Sequence, residues 1–293
     1  MNYTKQIIIA ASTLAFCLPS CTNEALIDNR LLGKELVVSA EIVSSATQQE
    51  TRVGALGAVG ASSYDKTSFF DDDQILISKT GETDGVLYHK LGTRWLPVSG
   101  QTPLTVSSSA ETFTGVYPHD FSMIYSNQTD NGSNTGDNFK KSNKLMAEAK
   151  TTTSGNSVKF QFSPAFCKMT VTITLTDARS DVTATLTASG ICTDPNNTGS
   201  ISLLRTSSNT ASTQHSFICI FNPGTYATHS LAVQSTDASS ATISDSYTYT
   251  SSKTFEKGKN YIYNFTSTND LILTDIKVTD FTEGSPNDVG SAT

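Results

Sequence analysis

Apolar and polar residues alternate with a period of two along most of the chain. From Met169 to Thr176, apolar residues and threonines take turns without a break, a pattern that predicts a half-buried β-strand. Polar turn residues follow at 177–180 and residues 182–188 alternate again, so this region favours an antiparallel hairpin. Residues 217–221 are apolar at both parities and end at Asn222-Pro223-Gly224, which indicates a central strand buried on both faces.

The same period predicts strands elsewhere, whereas helical spacing is nearly absent. Residues 143–150 are interpreted as one short helix, because the stretch KLMAEAK consists of good helix formers. The polar, Gly- and Asn-rich run at 126–138 indicates a long surface loop. The other predicted strands lie at residues 36–43, 74–78, 113–117, 158–162, 231–235, 247–249, 261–265 and 271–281.

These elements predict an all-β protein with two antiparallel β-sandwich domains in tandem. At 293 residues the chain is long enough for a hydrophobic core in each domain. We expect a signal peptide at 1–20 and a removable N-terminal segment at 22–52. The first sandwich is then expected at 53–160 and the second at 161–293.

The N-terminus combines one positive charge with a short apolar core. Lys5 precedes an apolar run at 7–16, which is too short to span a bilayer as a helix of roughly 20 residues and therefore predicts a cleaved signal peptide. Leu18-Pro19-Ser20-Cys21 follows and resembles a lipobox, in which a cysteine thiol takes up the lipid. We expect acyl chains such as palmitate on Cys21 to anchor the exported protein in a membrane. The alternative is a cysteine that stands there by chance.

Composition and charge narrow the classes of function. A net charge of -7 with only 16% charged residues disfavours nucleic acid as a partner. The four histidines form no i, i+4 pair, and no GxSxG, phosphate-loop or dinucleotide motif occurs, so we predict no enzyme, no cofactor and no metal site. His119-Asp120 and Asp71-Asp72-Asp73 are interpreted as turn residues rather than as an acid/base pair or a calcium site.

Three further cysteines lie in the body of the chain. Cys167, Cys192 and Cys219 lack CxxC spacing, which is poor evidence for a zinc site or a disulfide framework. One disulfide outside the cytoplasm stays open as an alternative. Cys167 and Cys219 lie in apolar stretches, however, and this favours small buried hydrophobic residues.

A separable strand is predicted near the N-terminus. Leu36, Val38, Ala40 and Ile42 form one apolar face, and a polar Ser- and Gln-rich stretch follows as far as Arg52. Exposed polar loops are where proteases cut without first unfolding a domain. We therefore expect this strand to be removable by proteolysis.

Five blocks occur in order between residues 69 and 281: FFDDDQILIS, VLYHKLGTRWLPVSGQTPLTVSSSAETFTGVYP, NKLMAEA, VKFQFSPAFCKMTVTITL and TFEKGKNYIYNFTSTNDLILTDIKVTDF. Together they resemble the fimbrillin-like proteins, the lipoprotein-derived subunits of type V pili in Gram-negative gut and oral bacteria. Pro164 departs from the pattern where a His is common, and Phe281 replaces a frequent Trp. The resemblance implies transthyretin-like sandwich domains, a place in the outer membrane and at the cell surface, and a fimbrial subunit that supports adhesion together with other pilus subunits.

The resemblance also implies assembly by donor-strand exchange. In such systems a trypsin-like protease cuts behind an arginine and releases the first strand, and a strand of the next subunit fills the groove. On this chain the resemblance implies lipid on Cys21, a cut behind Arg52 and removal of residues 36–43. Arg30 is the weaker alternative, because it precedes that strand and a cut there opens no groove.

The donor strand is less well defined by the sequence. Residues 271–281 alternate, with Ile272, Ile276 and Val278 at the same parity, whereas the polar tail at 282–293 contains Pro286 and two glycines. If 271–281 swings out, the chain is a stalk subunit. If this segment stays in place, the chain is a tip or accessory subunit.

A surface glycan-binding lipoprotein is the competing class. Such a protein would stack sugars on exposed aromatic rings, for which Tyr88, Trp95, Tyr117 and Tyr125 are the candidates. Trp95 is instead predicted to lie in the core, since a large aromatic side chain within a strand pair usually contributes buried area. The sequence identifies no host or bacterial surface ligand.

Overall fold

The computed structural model describes residues 33–43, 66–107, 110–129, 136–153, 155–236, 243–268 and 270–281. Strands dominate these residues, so the prediction of an all-β protein is confirmed. One short helix occurs among them, α1 (Asp137–Ser142). None of the helical segments in these ranges has the length and apolar character needed to cross a bilayer. The strands are β1 (Lys34–Glu35), β2 (Val37–Ile42), β3 (Gln74–Lys79), β4 (Gly85–Leu91), β5 (Arg94–Pro97), β6 (Thr105–Val106), β7 (Thr112–Tyr117), β8 (Leu145–Lys150), β9 (Ser157–Pro164), β10 (Cys167–Arg179), β11 (Thr183–Thr187), β12 (Ser200–Ser202), β13 (Leu204–Arg205), β14 (Ser212–Phe221), β15 (Gly224–Thr236), β16 (Ile243–Phe255), β17 (Lys259–Ser267) and β18 (Leu271–Asp280).

Seven strands of the N-terminal half close into a barrel. Their order around the ring is β2-β5-β4-β3-β7-β8-β9, and β9 returns to β2. The sequence predicts a sandwich of two sheets here. The structure differs because β2 pairs with β9 on one side and with β5 on the other. The sheet therefore has no free edge as long as β2 is in place.

The C-terminal half consists of two sheets that face each other. One has five strands in the order β13-β14-β10-β17-β18, and the other has four in the order β12-β11-β15-β16. Alternate residues of both sheets meet in one apolar core, which includes Val171, Leu186, Phe217, Val233 and Phe265. The predicted central strand is β14, and Ile218 and Ile220 on its second face join a smaller cluster with Phe139 and Phe281.

The predicted hairpin between β10 and β11 is wrong. β10 pairs with β14 and β17, whereas β11 pairs with β12 and β15 in the opposite sheet. A period of two determines which face of a strand is buried, but it leaves the neighbouring strand undetermined. Here the two apolar faces meet across the core between the sheets, so the turn at 180–182 connects the two layers.

The predicted helix at 143–150 is also wrong. Residues 145–150 form β8, which pairs with β7 and buries Leu145, Ala147 and Ala149 at alternate positions. Helix propensity differs by only about 0.7 kcal/mol per residue among ordinary residues, so pairing and burial in a sheet outweigh it. The helix of this region lies earlier, as α1, at the end of the predicted surface loop.

The segment after β7 leaves the barrel and packs against the C-terminal sheets. Ile124 is fully buried in the core of the C-terminal half. The side-chain amide of Gln128 donates to the Ile220 carbonyl at 2.7 Å and accepts from the Ile220 N–H at 2.9 Å. Ser126 Oγ donates to Asp194 Oδ2 at 2.6 Å. Residues before position 160 thus contribute to the second core, and the domain division at 160 and 161 stays a prediction.

Candidate assembly site

The strand that the sequence marks as removable, β2, forms part of the barrel wall. Leu36, Val38 and Ile42 are buried inside the barrel and Ala40 is half-buried. Successive side chains of a strand point to opposite faces, so this alternation puts one face of β2 in the core and the other in solvent. Val37 is the clearest case on the outer face, with 54% of its surface exposed.

Backbone hydrogen bonds hold β2 at both ends. The N–H of Leu36 donates to the Leu104 carbonyl at 2.7 Å, and the N–H of Val43 donates to the Phe162 carbonyl at 2.9 Å. Between these ends β2 runs parallel to β9 over six register pairs, from Val37–Ser157 to Ile42–Phe162. β2 therefore completes the hydrogen bonding of the β9 edge.

The solvent face of β2 adds polar contacts to β9. Glu41 pairs with Lys159 at 2.8 Å and accepts a hydrogen bond from Gln161 Nε2 at 3.0 Å. These hydrogen bonds hold the pKa of the exposed Glu41 carboxyl below its usual value. Exposed pairs of this kind contribute little to stability, so the attachment of β2 depends mainly on its buried face and its backbone.

The other side of β2 is weakly attached. Val38 opposite Trp95 is the one register pair between β2 and β5. Trp95 is itself buried and packs edge to face against Phe69, with ring centroids 5.2 Å apart. Removal of β2 would expose these aromatic rings and the unpaired edge of β9 in one groove.

The predicted processing residues cannot be placed against this groove. Cys21, Arg52 and the weaker alternative Arg30 lie outside the described residues. The described chain stops at Val43 and resumes at Lys66, so the predicted cut lies between the end of β2 and the next described segment.

The candidate donor, β18, is the edge strand of the five-stranded sheet. It pairs with β17 along its length, from Ser267–Leu271 to Lys259–Asp280. An ion pair of 2.6 Å between Lys259 Nζ and Asp280 Oδ1 joins the two strands at the C-terminal end of β18. Ile272, Ile276 and Val278 are all exposed, by 51%, 38% and 47%.

A β-bulge divides these three side chains between two faces. Asn264 pairs with Asp275 and Phe265 with Leu273, so Thr274 is the extra residue. Ile276 and Val278 lie opposite Tyr263 and Tyr261, which face the core, whereas Ile272 lies opposite the outward Thr266. Residues of the same parity therefore do not share a face in β18. The period of two could not reveal the bulge, since the sequence at Thr274 carries no glycine or other bulge signal.

The aromatic residues proposed for sugar stacking do not form an exposed row. Tyr88 and Trp95 are buried, as predicted for Trp95. Tyr117 is half-buried and its hydroxyl donates to Asp73 Oδ1 at 3.2 Å. Tyr125 is half-buried and lines a shallow depression with Phe121 and Lys141. The glycan-binding interpretation thus loses two of its four candidates, Tyr88 and Trp95, because a buried ring cannot stack on a sugar.

The acidic run at 71–73 shapes a turn. Asp71 Oδ1 accepts from the Gly92 N–H at 2.9 Å, and Asp73 Oδ2 accepts from the Phe70 N–H at 2.6 Å. Asp72 adopts a positive φ of 69°. Within the described ranges no group of three or more His, Cys, Asp or Glu side chains has a geometry that could hold a metal ion.

The three cysteines of the body are free and buried. Cys167 Sγ donates to the Glu256 carbonyl at 3.0 Å, and burial raises the pKa of this thiol to about 12. Burial also raises the pKa of the Cys192 and Cys219 thiols. A thiol that stays protonated is a poor nucleophile. The interpretation of Cys167 and Cys219 as small buried hydrophobic residues is confirmed.

Comparison with known proteins identifies one matching family and several solved structures of similar fold. A family model described as fimbrillin-like matches residues 61–280. A "putative cell adhesion protein" from Bacteroides ovatus aligns with a TM-score of 0.59 and 16% identity, over 85% of this chain and 98% of that chain. A second protein so described, from Bacteroides uniformis, aligns with a TM-score of 0.54 and 16% identity, over 84% and 99%. No curated protein sequence matches the chain.

Proposed function

Because the chain belongs to the fimbrillin-like family, which its match over residues 61–280 establishes, we propose that it is a structural subunit of a cell-surface pilus that supports adhesion. In this proposal the chain is exported as a lipoprotein precursor, carries its lipid on Cys21 in the outer membrane, and is organised as two domains at 53–160 and 161–293, of which the second is a transthyretin-like sandwich. Its partners are other pilus subunits.

One observation carries the assembly mechanism. β2 is a regular strand of the barrel, but it has six register pairs to β9 and one to β5. Cleavage behind Arg52 would cut the covalent link between β2 and the rest of the barrel, so that only non-covalent contacts hold the strand. Each of Leu36, Val38 and Ile42 contributes roughly 1.5–3 kcal/mol by burial, so an empty groove is unstable until another strand fills it. A strand of the next subunit that repeats the apolar alternation restores the lost contacts.

The sequence of β18 fits the role of the donor. In a regular strand Ile272, Thr274, Ile276 and Val278 share one face. Leu36, Val38, Ala40 and Ile42 provide the same number of alternate positions in β2. The bulge at Thr274 breaks this face in the home sheet, so transfer to a regular slot would unite the four side chains. If β18 donates itself in this way, the chain is a stalk subunit.

A tip or accessory subunit is the second candidate, and the pairing of β18 favours it. The strand is joined to β17 from end to end, and Leu271 is buried in the C-terminal core. Detachment of β18 from its own sheet would break these contacts. In this second case β18 stays in its own sheet and the chain accepts a strand without donating one.

Limited trypsin digestion of the purified precursor tests the proposal. We expect a stable product that begins at Val53 and that forms ladders on a gel after release of β2. The matched control is Arg52→Gln, which should keep β2 joined to the barrel and stay monomeric under the same digestion. A product that begins at Val53 but never associates contradicts the mechanism, and so does a first cut within residues 69–281.

A further inference from the structure

A shallow depression lies beside α1, where the chain leaves the barrel after β7. Its volume is about 280 Å³ and its lining is mostly polar. Phe121 and Tyr125 contribute two half-buried rings, whereas Asp120, Ser122 and Lys141 contribute exposed polar side chains. Pockets for drug-sized ligands start at roughly 300 Å³, so this depression has room for a ligand the size of a single sugar ring.

Hydrogen bonds hold the lining in place. The N–H of Tyr125 donates to Ser142 Oγ at 3.0 Å, and Ser142 is the last residue of α1. This bond ties Tyr125 to the helix that carries Lys141. The neighbouring Ile124 is fully buried, and its N–H donates to Thr193 Oγ1 at 2.7 Å. The depression is therefore formed before any ligand arrives, and binding does not have to order a loop.

The opposite charges of the lining do not neutralise each other. Asp120 and Lys141 both line the depression, yet neither forms an ion pair with any residue in the described ranges. An ammonium group only donates hydrogen bonds and an ionised carboxylate only accepts them. A ligand that satisfies both side chains must therefore offer an acceptor, best an anionic one, to Lys141 and a donor such as a hydroxyl to Asp120.

Further lysines add positive charge beside this lining, although the chain as a whole carries a net charge of -7. Lys144 Nζ lies 5.0 Å from the centroid of the Phe121 ring. The half-buried Lys144 has no ion-pair partner in the part of the chain that the structure describes. Burial lowers the pKa of Lys144, and the charge of Lys257 lowers it further. A bound anion would lower the repulsion between these lysines.

We propose that this depression binds an anionic sugar residue, with its carboxylate or sulfate group at Lys141 and its hydroxyl groups at Asp120 and Ser122. The C–H face of a sugar ring can pack on the apolar rings of Phe121 and Tyr125. A simple anion is a poorer occupant, because the Asp120 carboxylate repels it and because it has no apolar face to place on the rings. That the bound sugar serves adhesion rests on the proposed function, whereas the site itself does not.

Saturation-transfer NMR on the uncleaved full chain tests this proposal, with sialyllactose and lactose as the probes. Sialyllactose should bind saturably, and lactose should bind about tenfold more weakly, because it lacks the anionic group. Sulfated lactose shows whether a sulfate ester can replace the carboxylate. Equal binding of lactose overturns the proposal. Displacement of sialyllactose by inorganic sulfate at equal concentration does so too, because the site would then recognise a bare anion.

Matched substitutions at the end of α1 locate the binding. Lys141→Gln should weaken the binding of sialyllactose about tenfold, since it removes a charge-assisted hydrogen bond. Lys140→Gln is the control, because Lys140 is the preceding residue of the same helix but does not line the depression. The same loss for both variants would mean that only long-range charge attracts the ligand, and this would overturn the proposal.

Asp120→Ala separates a sugar from a bare anion. Loss of the carboxylate removes an acceptor for sugar hydroxyls, so sialyllactose should bind about fivefold more weakly. If the site holds an anion alone, loss of this negative charge should instead tighten binding, and tighter binding overturns the proposal. Asp120 and Lys141 are both exposed, so neither substitution should unfold the chain.

Failure of this proposal differs from failure of the proposed function. The sugar assay uses an uncleaved chain, so it needs no assembly. Ladders after trypsin without sugar binding would overturn the sugar site and leave assembly through the barrel groove intact. Sugar binding without ladders would do the reverse.

Discussion

Val38 on β2 lies directly opposite Trp95 on β5, and this single pair joins the two strands. The β9 side of β2 is bound over six pairs, so the barrel is closed by one strand that is attached unevenly. A strand with this attachment can separate from β5 first while its parallel pairing with β9 still holds it. The asymmetry gives an incoming strand a side from which to enter the groove.

Truncation of Val38 should weaken the barrel closure. Val38→Ala removes two buried methyl groups that lie beside the Val38–Trp95 junction, and we expect a loss of about 2 kcal/mol in the free energy of unfolding. Urea unfolding followed by the fluorescence of Trp95, the one tryptophan of the chain, measures this loss.

Val37→Ala is the matched control for that substitution. Val37 lies on the solvent face of the same strand with 54% of its surface exposed, so its truncation should change stability by less than about 0.5 kcal/mol. Equal losses for both variants would mean that β2 is not seated in the barrel as described.

A disulfide across β17 and β18 should separate the two candidate roles in a pilus. Asn264 and Asp275 are paired on the outer face of the sheet, so Asn264→Cys with Asp275→Cys can tie β18 to β17. After trypsin, a stalk subunit locked in this way should accept a strand but fail to donate one. Gel ladders should then be lost under oxidising conditions and return on reduction.

The reduced form of the same double variant is the internal control for that experiment. Ladders that are equally long with the disulfide closed would show that β18 is not the donor. This outcome would favour the tip or accessory role, in which β18 stays in its own sheet.

The sequence predicted burial better than it predicted neighbours. The alternation around Val38 and Val171 reports which side chains face a core, because that face follows from the twofold period of a strand. It contains no information on whether β10 and β11 pair or face each other across two sheets, since both arrangements bury the same residues. The parallel pairing of β10 with β17 joins residues far apart in the chain and leaves no local signal.

The assembly site was predicted in part. The apolar face of β2 is visible in the sequence as an alternation that ends in a polar stretch. The division of the exposed residues of β18 between two faces is not, because the bulge at Thr274 is a property of the folded sheet. Ile272 and Ile276 have the same parity and look equivalent in the sequence, yet they lie on opposite faces of the sheet.

The turn before β17 supplies a third prediction. Gly258 adopts a positive φ of +75°. A Cβ there meets no atom closer than 3.7 Å, so Gly258→Ala should lose stability through the backbone conformation alone, by about 1–2 kcal/mol. Gly199→Ala is the control, since Gly199 lies outside the left-handed region and its nearest contact is at 3.9 Å. A shift in the urea midpoint for Gly199→Ala as large as for Gly258→Ala would contradict this cause.

Acidification should destabilise the protein through His215. The ring is fully buried, its Nδ1 lies 2.9 Å from Arg205 Nη2, and its Nε2 lies 2.8 Å from the Ser212 carbonyl. Nδ1 therefore accepts from the guanidinium and Nε2–H donates to the carbonyl, which requires the neutral ring. Burial, and then the charge of Arg205, lower the pKa of His215, while the Ser212 carbonyl raises it.

The sign of the effect follows from this lowered pKa. The unfolded chain takes up the His215 proton below about pH 6.5, whereas the folded protein resists it, so the free energy of unfolding should fall as the pH drops from about 6.5 through the folded pKa. Burial likewise lowers the pKa of His229, followed by the charge of Lys253, so this residue adds to the same loss. Urea unfolding at a series of pH values should give a shallower decline for His215→Gln than for the unaltered chain. Identical declines would show that the contact with Arg205 does not control the protonation of this ring.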